Sequence, residues 1–216
     1  MAVPQKVLDS VYGSKPEDWK QHENGGGWVY KTATVEAAVY LHPTSIVYGN
    51  AQVYGNAQVY GNAQVYGNAR VYGDAQVYGD AWVCGDAWVY GDARVCGNAQ
   101  VYGNARVYGD ARVYGDARVY GDARVCGNAW VYGDAWVYGD ARVCGDVRVS
   151  LKEKLIGGYF YHTKQKTEKI EVMENDTNYE TLCSNPKYDT TEEKKSLSGK
   201  KVSVKIDGTE YSATID

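Results

Sequence analysis

From Val47 to Val143 a valine falls at every sixth position without exception. The unit reads Val, then Tyr or Cys, then Gly, then Asn or Asp, then Ala, then a variable residue drawn from Gln, Arg and Trp. Gly stands two places after each Val from Gly49 to Gly145, and Ala four places after it from Ala51 to Ala141. A degenerate form of the same step runs back through Leu41, Val35 and Val29, and the step ends at Val149. A six-residue period does not fit an α-helix, whose period is 3.6, but it suits short strands joined by corners. Strand alternation places Ala and Val on one side and the variable residue and Tyr on the other. Because the variable position holds Arg and Gln, its side faces water, and the Ala/Val side is the core. Gly followed by Asn or Asp makes the corner, since these residues best tolerate left-handed backbone angles. A single strand with one apolar face cannot bury itself, so the units must coil and stack.

An aliphatic residue with a small residue four later, repeated by six over residues 29–150, resembles the hexapeptide signature of left-handed parallel β-helices. The resemblance implies an all-β fold, a triangular solenoid with three hexapeptides to a coil and about seven coils in all. The left hand is implied by the family alone, since parallel crossovers are otherwise nearly always right-handed. The segment His22-Glu-Asn-Gly-Gly-Gly-Trp-Val29, leading into the repeat, looks like uncharacterised bacterial and phage β-solenoid proteins of the same superfamily.

Three domains are expected: an amino-terminal cap over residues 1–28, the β-helix over 29–150, and a small β-rich domain over 151–216. The cap is expected to be helical, because Ser14-Lys15-Pro16-Glu17 combines an early Pro with a first-turn acid. In the last domain, Asp207-Gly208 between Val202–Ile206 and Thr209–Ala213 is a hairpin signal. A two-residue turn there sets Lys205 opposite Glu210 and Val204 opposite Tyr211. Tyr159–Tyr161 and Lys169–Val172 read as further strands, and Asp189–Lys195 as a charged loop.

Stacking by 18 residues sorts the outward side chains into columns. One face carries Tyr30, Tyr48, Tyr66, Cys84, Tyr102, Tyr120 and Tyr138, beside Trp28, Trp82 and Trp136. A second carries Tyr54, Tyr72, Tyr90 and Tyr108, flanked by Arg70, Trp88, Arg106, Arg124 and Arg142. The third carries Tyr60, Tyr78, Tyr114 and Tyr132, beside Arg94, Arg112, Trp130 and Arg148. Identical rings one rung apart stabilise a parallel sheet by stacking, while Tyr, Trp and Arg also dominate interaction hot spots. The partner-binding candidates are therefore Arg70, Trp88, Arg106, Arg124, Arg142, Tyr72, Tyr90, Tyr108, Trp82 and Trp136. Asp74, Asp92 and Asp110 should stack, with nearby Arg supplying compensation; a cation-binding carboxylate column is the alternative. Cys84, Cys96, Cys126 and Cys144 all occupy the Tyr column, with Cys126 and Cys144 as rung neighbours, and read as free thiols suited to a reducing compartment.

Catalysis is not expected. Acyltransferases of the hexapeptide superfamily rely on a His general base between subunits, and the regular coils contain no His. His42 lies in the degenerate early coil, while His22 and His162 lie outside the repeat. No nucleophile, metal or cofactor motif is present, so no cofactor is expected. Lys+Arg of 23 against Asp+Glu of 27 argues against nucleic acid as a partner. No apolar run reaches the ~18 residues of a membrane span, and the start MAVPQKVLDS lacks the apolar region of a signal peptide. The expectation is a cytoplasmic, non-catalytic scaffold that binds a protein or self-associates, with a trimer as one form and a polysaccharide as a further partner class. By resemblance it would be phage- or mobile-element-encoded and inhibit a host protein; the alternative is a trimeric acyltransferase-like enzyme.

Overall fold

A computed structural model describes residues 2–150, 154–162, 201–206 and 209–214. The hexapeptides form a parallel β-solenoid of about seven coils, in which three sheets each receive every third strand. Sheet 1 runs from Trp28–Tyr30 through Trp82–Val83 to Lys154–Leu155. Sheet 2 runs from Thr34–Val35 through Trp88–Gly91 to Tyr159–His162, and sheet 3 from Tyr40–Leu41 to Arg148–Val149. Neighbouring strands sit 18 residues apart in register, so that Trp88 pairs with Arg70 below it and Arg106 above it. In a regular unit three backbone N–H groups donate to the next coil: Gln64 to the carbonyl of Ala81, Tyr66 to Val83 and Asn68 to Gly85, at 3.0, 2.9 and 2.8 Å. That satisfies the backbone of a very short strand and of part of its corner.

The core is a column of Val and Ala. Every repeat Val from 47 to 143 and every repeat Ala from 51 to 141 is completely buried. The corner glycines are required twice over. Gly67 has φ +71°, and a Cβ there would lie 2.9 Å from the backbone nitrogen of Gly85, the equivalent corner one coil on. Backbone conformation and close stacking both exclude a side chain.

The two ends depart from the repeat. The helix expected from Ser14–Glu17 is instead a single 3₁₀ turn, Pro16–Asp18, after which the chain enters the strand Trp19–Gln21. Trp19 wins that contest: its strand pairs antiparallel with Trp28–Tyr30, and its ring meets Tyr30 edge-on at 4.9 Å. The only α-helix among the described residues is one turn, Gln5–Leu8. This segment also lies on the outer side of sheet 1, where Val7, Trp19, Trp28 and Ile46 form a second apolar cluster. Beneath the first coil, Gly27 passes so close to Leu41 that a Cβ would meet the Leu41 Cγ at 2.3 Å.

Beyond residue 150 the coiling continues. Lys154–Leu155 adds to sheet 1 and Tyr159–His162 to sheet 2, with Leu155 and Phe160 replacing Val in the core. The register shortens there by one residue, since Arg142 pairs with Tyr159 whereas Trp136 pairs with Lys154. Lys201–Ile206 and Thr209–Thr214 form the expected antiparallel pair, with Lys205 opposite Glu210 and Val204 opposite Tyr211. The Asp207-Gly208 turn, the strand expected at 169–172 and the loop expected at 189–195 lie outside the described residues.

Candidate interaction surface

The outward side of sheet 2 gathers eight of the ten candidate residues. Arg70, Trp88, Arg106, Arg124 and Arg142 form one column in register, and Tyr72, Tyr90 and Tyr108 stand beside them. Trp82 and Trp136 do not join this surface; both stand on sheet 1, the sheet whose strands precede those of sheet 2 in each coil.

The Tyr54–Tyr72–Tyr90–Tyr108 ladder stacks with centroids 4.8–4.9 Å apart and planes within 3° of parallel. That spacing is the strand separation, so the sheet itself imposes the stacking geometry. Trp88 is held from three directions. The Arg70 and Arg106 guanidiniums lie 5.0 and 4.9 Å from its ring centroid, and Tyr72 meets it edge-on at 6.5 Å. Burial raises the Tyr72 and Tyr90 phenols above their ordinary value, while the nearby arginines pull the other way. The phenols therefore stay neutral beside a cationic column.

A groove of about 400 Å³ runs along this column, walled on its other side by Asn68, Asp86, Asn104 and Asp122. These corner residues were not among the sequence candidates, although each lies two places before a variable residue and stacks by 18. Their carboxylates are compensated differently from the expected pairing with Arg. The Asn68 amide donates to Asp86 at 3.0 Å and that of Asn104 to Asp122 at 3.0 Å. Asn56 to Asp74 and Asn62 to Asp80 repeat the arrangement at 3.1 and 3.0 Å. Arg70, Arg106 and Arg124 form no ion pair with a corner carboxylate. Arg70 and Arg106 instead lie over the Trp88 ring. Among the described residues no group of three His, Cys, Asp or Glu is placed to hold a metal ion, and no helix is long and apolar enough to cross a membrane.

Tryptophans on the other sheets reproduce the clamp. Trp130 lies between Arg112 and Arg148 at 4.9 and 4.7 Å, and Trp136 between Arg118 and Lys154 at 5.0 Å each. Trp82 breaks the pattern: its register neighbours are Gln64 and Gln100, and it is 41% exposed.

The four cysteines of the repeat divide in two. Cys126 and Cys144, consecutive rungs of sheet 2 with Cα atoms 4.5 Å apart, form a disulfide, which corrects the reading of both as free thiols. Parallel in-register pairing brings identical positions within bridging distance. Cys84 and Cys96 remain free, each alone in its column. Two of the three histidines have structural partners. The His22 ring is buried with Nε2 2.9 Å from the Val39 carbonyl, and His42 Nδ1 lies 3.0 Å from the Thr44 hydroxyl.

The sequence pattern described as the YdcK β-solenoid repeat matches residues 63–79, 75–91, 99–115, 111–127 and 123–139. No curated protein and no solved structure matches the chain.

Proposed function

We propose that this chain is a non-catalytic solenoid scaffold that presents the Arg/Trp/Tyr column of sheet 2 to a protein partner. The observation that carries the reading is Trp88 held between Arg70 and Arg106 along a groove, with Arg124 and Arg142 continuing the column. Guanidiniums engaged by a ring face still have donors directed outward, and a fixed 18-residue register spaces them like the rungs of a template. A partner segment carrying carboxylates and an aromatic anchor would match that spacing. In this reading the rod is left-handed and three-sided, as the hexapeptide pattern suggests, and its rigidity keeps the column straight.

The experiment is capture from host lysate with the immobilised full chain, compared with a variant carrying Arg106→Ser, Arg124→Ser and Arg142→Ser. The expected result is a defined protein retained by the parent and lost by the variant, with unchanged far-UV circular dichroism. Equal retention by both would remove sheet 2 as the binding face.

A further inference from the structure

The tyrosine column of sheet 1 is missing one ring. Tyr48 and Tyr66 stack at 4.7 Å and 4°, and Tyr102 and Tyr120 at 4.8 Å and 0°, but Cys84 stands between the two pairs. Tyr66 and Tyr102 are thus two rungs apart, about 9.6 Å. A ring midway would stack on both at the spacing the ladder already uses.

Among the described residues no ring occupies that space. Trp82 keeps the pose of its counterparts, edge-on to the ring one rung below: 6.5 Å and 70° from Tyr66, against 6.5 Å and 69° for Trp88 on Tyr72. The opening shows in exposure: Gly85 and Trp82 are exposed, whereas Gly67, Gly73, Gly91 and Gly103 are half-buried, as is Trp88. The outer column of the sheet is also uncharged here, with Gln64, Trp82 and Gln100 in succession. Burial holds the Cys84 thiol and the Tyr66 phenol above their ordinary values, so the floor and wall of the gap are neutral as well.

One other large hydrophobic residue of the described chain is exposed. Tyr12 is fully open to solvent, at the tip of a turn. It belongs to Val11-Tyr12-Gly13, the tripeptide that carries the ladder tyrosines from Tyr48 onward, and Gly13 has φ +71°, matching the corner glycines. Val11 packs with the apolar cluster that covers Trp28 and Ile46, so the turn bearing Tyr12 sits on the side of the molecule that bears the gap, nearer the first coil.

We propose that the chain self-associates as a two-fold dimer through sheet 1, with Tyr12 of each copy inserted between Tyr66 and Tyr102 of the other, against Trp82. An axis lying in the interface, parallel to the strands of sheet 1 and placed between the first coil and the Cys84 rung, exchanges the two positions, so both gaps fill and the interface closes. The absence of charge along Gln64, Trp82 and Gln100 leaves no like-charge repulsion where two copies meet. By contrast, the Arg columns of sheets 2 and 3 would oppose their own copies. This proposal is independent of the sheet 2 reading.

The test is absolute mass by light scattering across a dilution series of the full chain. The parent is expected to approach twice 23.8 kDa at high concentration. Tyr12→Ala and Cys84→Tyr are each expected to weaken association at least tenfold; the second returns the unit to the repeat pattern and fills the gap with the chain's own ring. Cys84→Ser keeps the gap and should dimerise like the parent, which separates occupancy of the slot from loss of the thiol. A parent at single-chain mass throughout, a trimer, or undiminished dimerisation of Cys84→Tyr would each overturn the proposal.

Discussion

Sheets 1 and 2 share a backbone, a corner and a core, yet their outer sides behave differently. On sheet 2 the Trp at the variable position sits between two arginines, and its tyrosine ladder runs unbroken over four rungs. On sheet 1 Trp82 sits between two glutamines beside a missing ring. The repeat fixes where each side chain stands; the residue one rung above and below decides whether it is satisfied internally. A residue in such a solenoid has neighbours at ±18 that matter more than those at ±1. The cysteines follow the same rule, since two consecutive rungs bridge while an isolated one leaves a gap.

This comparison is open to direct attack. If the sheets differ only on their outer sides, Val83→Ala and Val89→Ala should be equally damaging, each by about 2–3 kcal/mol, because both valines are wholly buried in the same column. Urea unfolding measures this, and a gap of more than about 1 kcal/mol between the variants would show that the core also differs. Next in size, Trp88→Ala should cost about 1–2 kcal/mol more than Trp82→Ala, since it removes two cation contacts that Trp82 lacks. Equal losses would mean that the clamp adds nothing to stability. Smaller still, Cys96→Tyr extends the comparison to sheet 3. It restores a ring between Tyr78 and Tyr114 and should stabilise the chain by about 0.5–1 kcal/mol through stacking. No gain in the urea midpoint would remove ladder stacking as a stabilising factor.

The smallest effect is read only in alkaline solution. Burial pushes the Tyr48 phenol from its ordinary 10.0 up to about 12. A raised pKa means that the folded chain keeps a proton the unfolded chain releases. The corresponding stability is complete below pH 10 and is lost as pH rises from there toward 12. Ultraviolet titration of tyrosinate in the parent and in Tyr48→Phe should differ by one late-titrating phenol, and a difference signal appearing near pH 10 would contradict the burial.

Much of the fold was legible in the residues because period six and alternation leave few solutions. Val and Ala inside, Gly-Asn/Asp at corners and columns by 18 all follow from strand geometry, and so do the neighbours of Trp88. What escaped the reading depended on contacts that no period encodes. Pro16 and Glu17 suit a helix start, but the pairing of Trp19–Gln21 with the first coil outweighs that local preference. The coil beyond residue 150 lacks the hexapeptide pattern, and there Leu155 and Phe160 continue the core in place of Val. Cys126 and Cys144 were recognisable as neighbours, yet their bridge depends on a Cα separation that only the folded rungs supply. The Asn–Asp corner bonds were equally hidden, since Asn and Asp alternate irregularly along the chain and meet only at a distance of 18.

The 18-residue register has a consequence for how such a chain can change length. Loss or gain of three units returns every later side chain to its own sheet. Loss or gain of one unit acts like a click of a dial, turning all later coils by one sheet relative to the earlier ones while leaving the core column intact. The core valines and alanines would tolerate every click, because all three sheets present the same two residues to it. The outer columns would not: one extra unit between Arg70 and Trp82 would carry Trp82 onto sheet 2 above Arg70, with Gln100 still above it, and so into half of the clamp it now lacks.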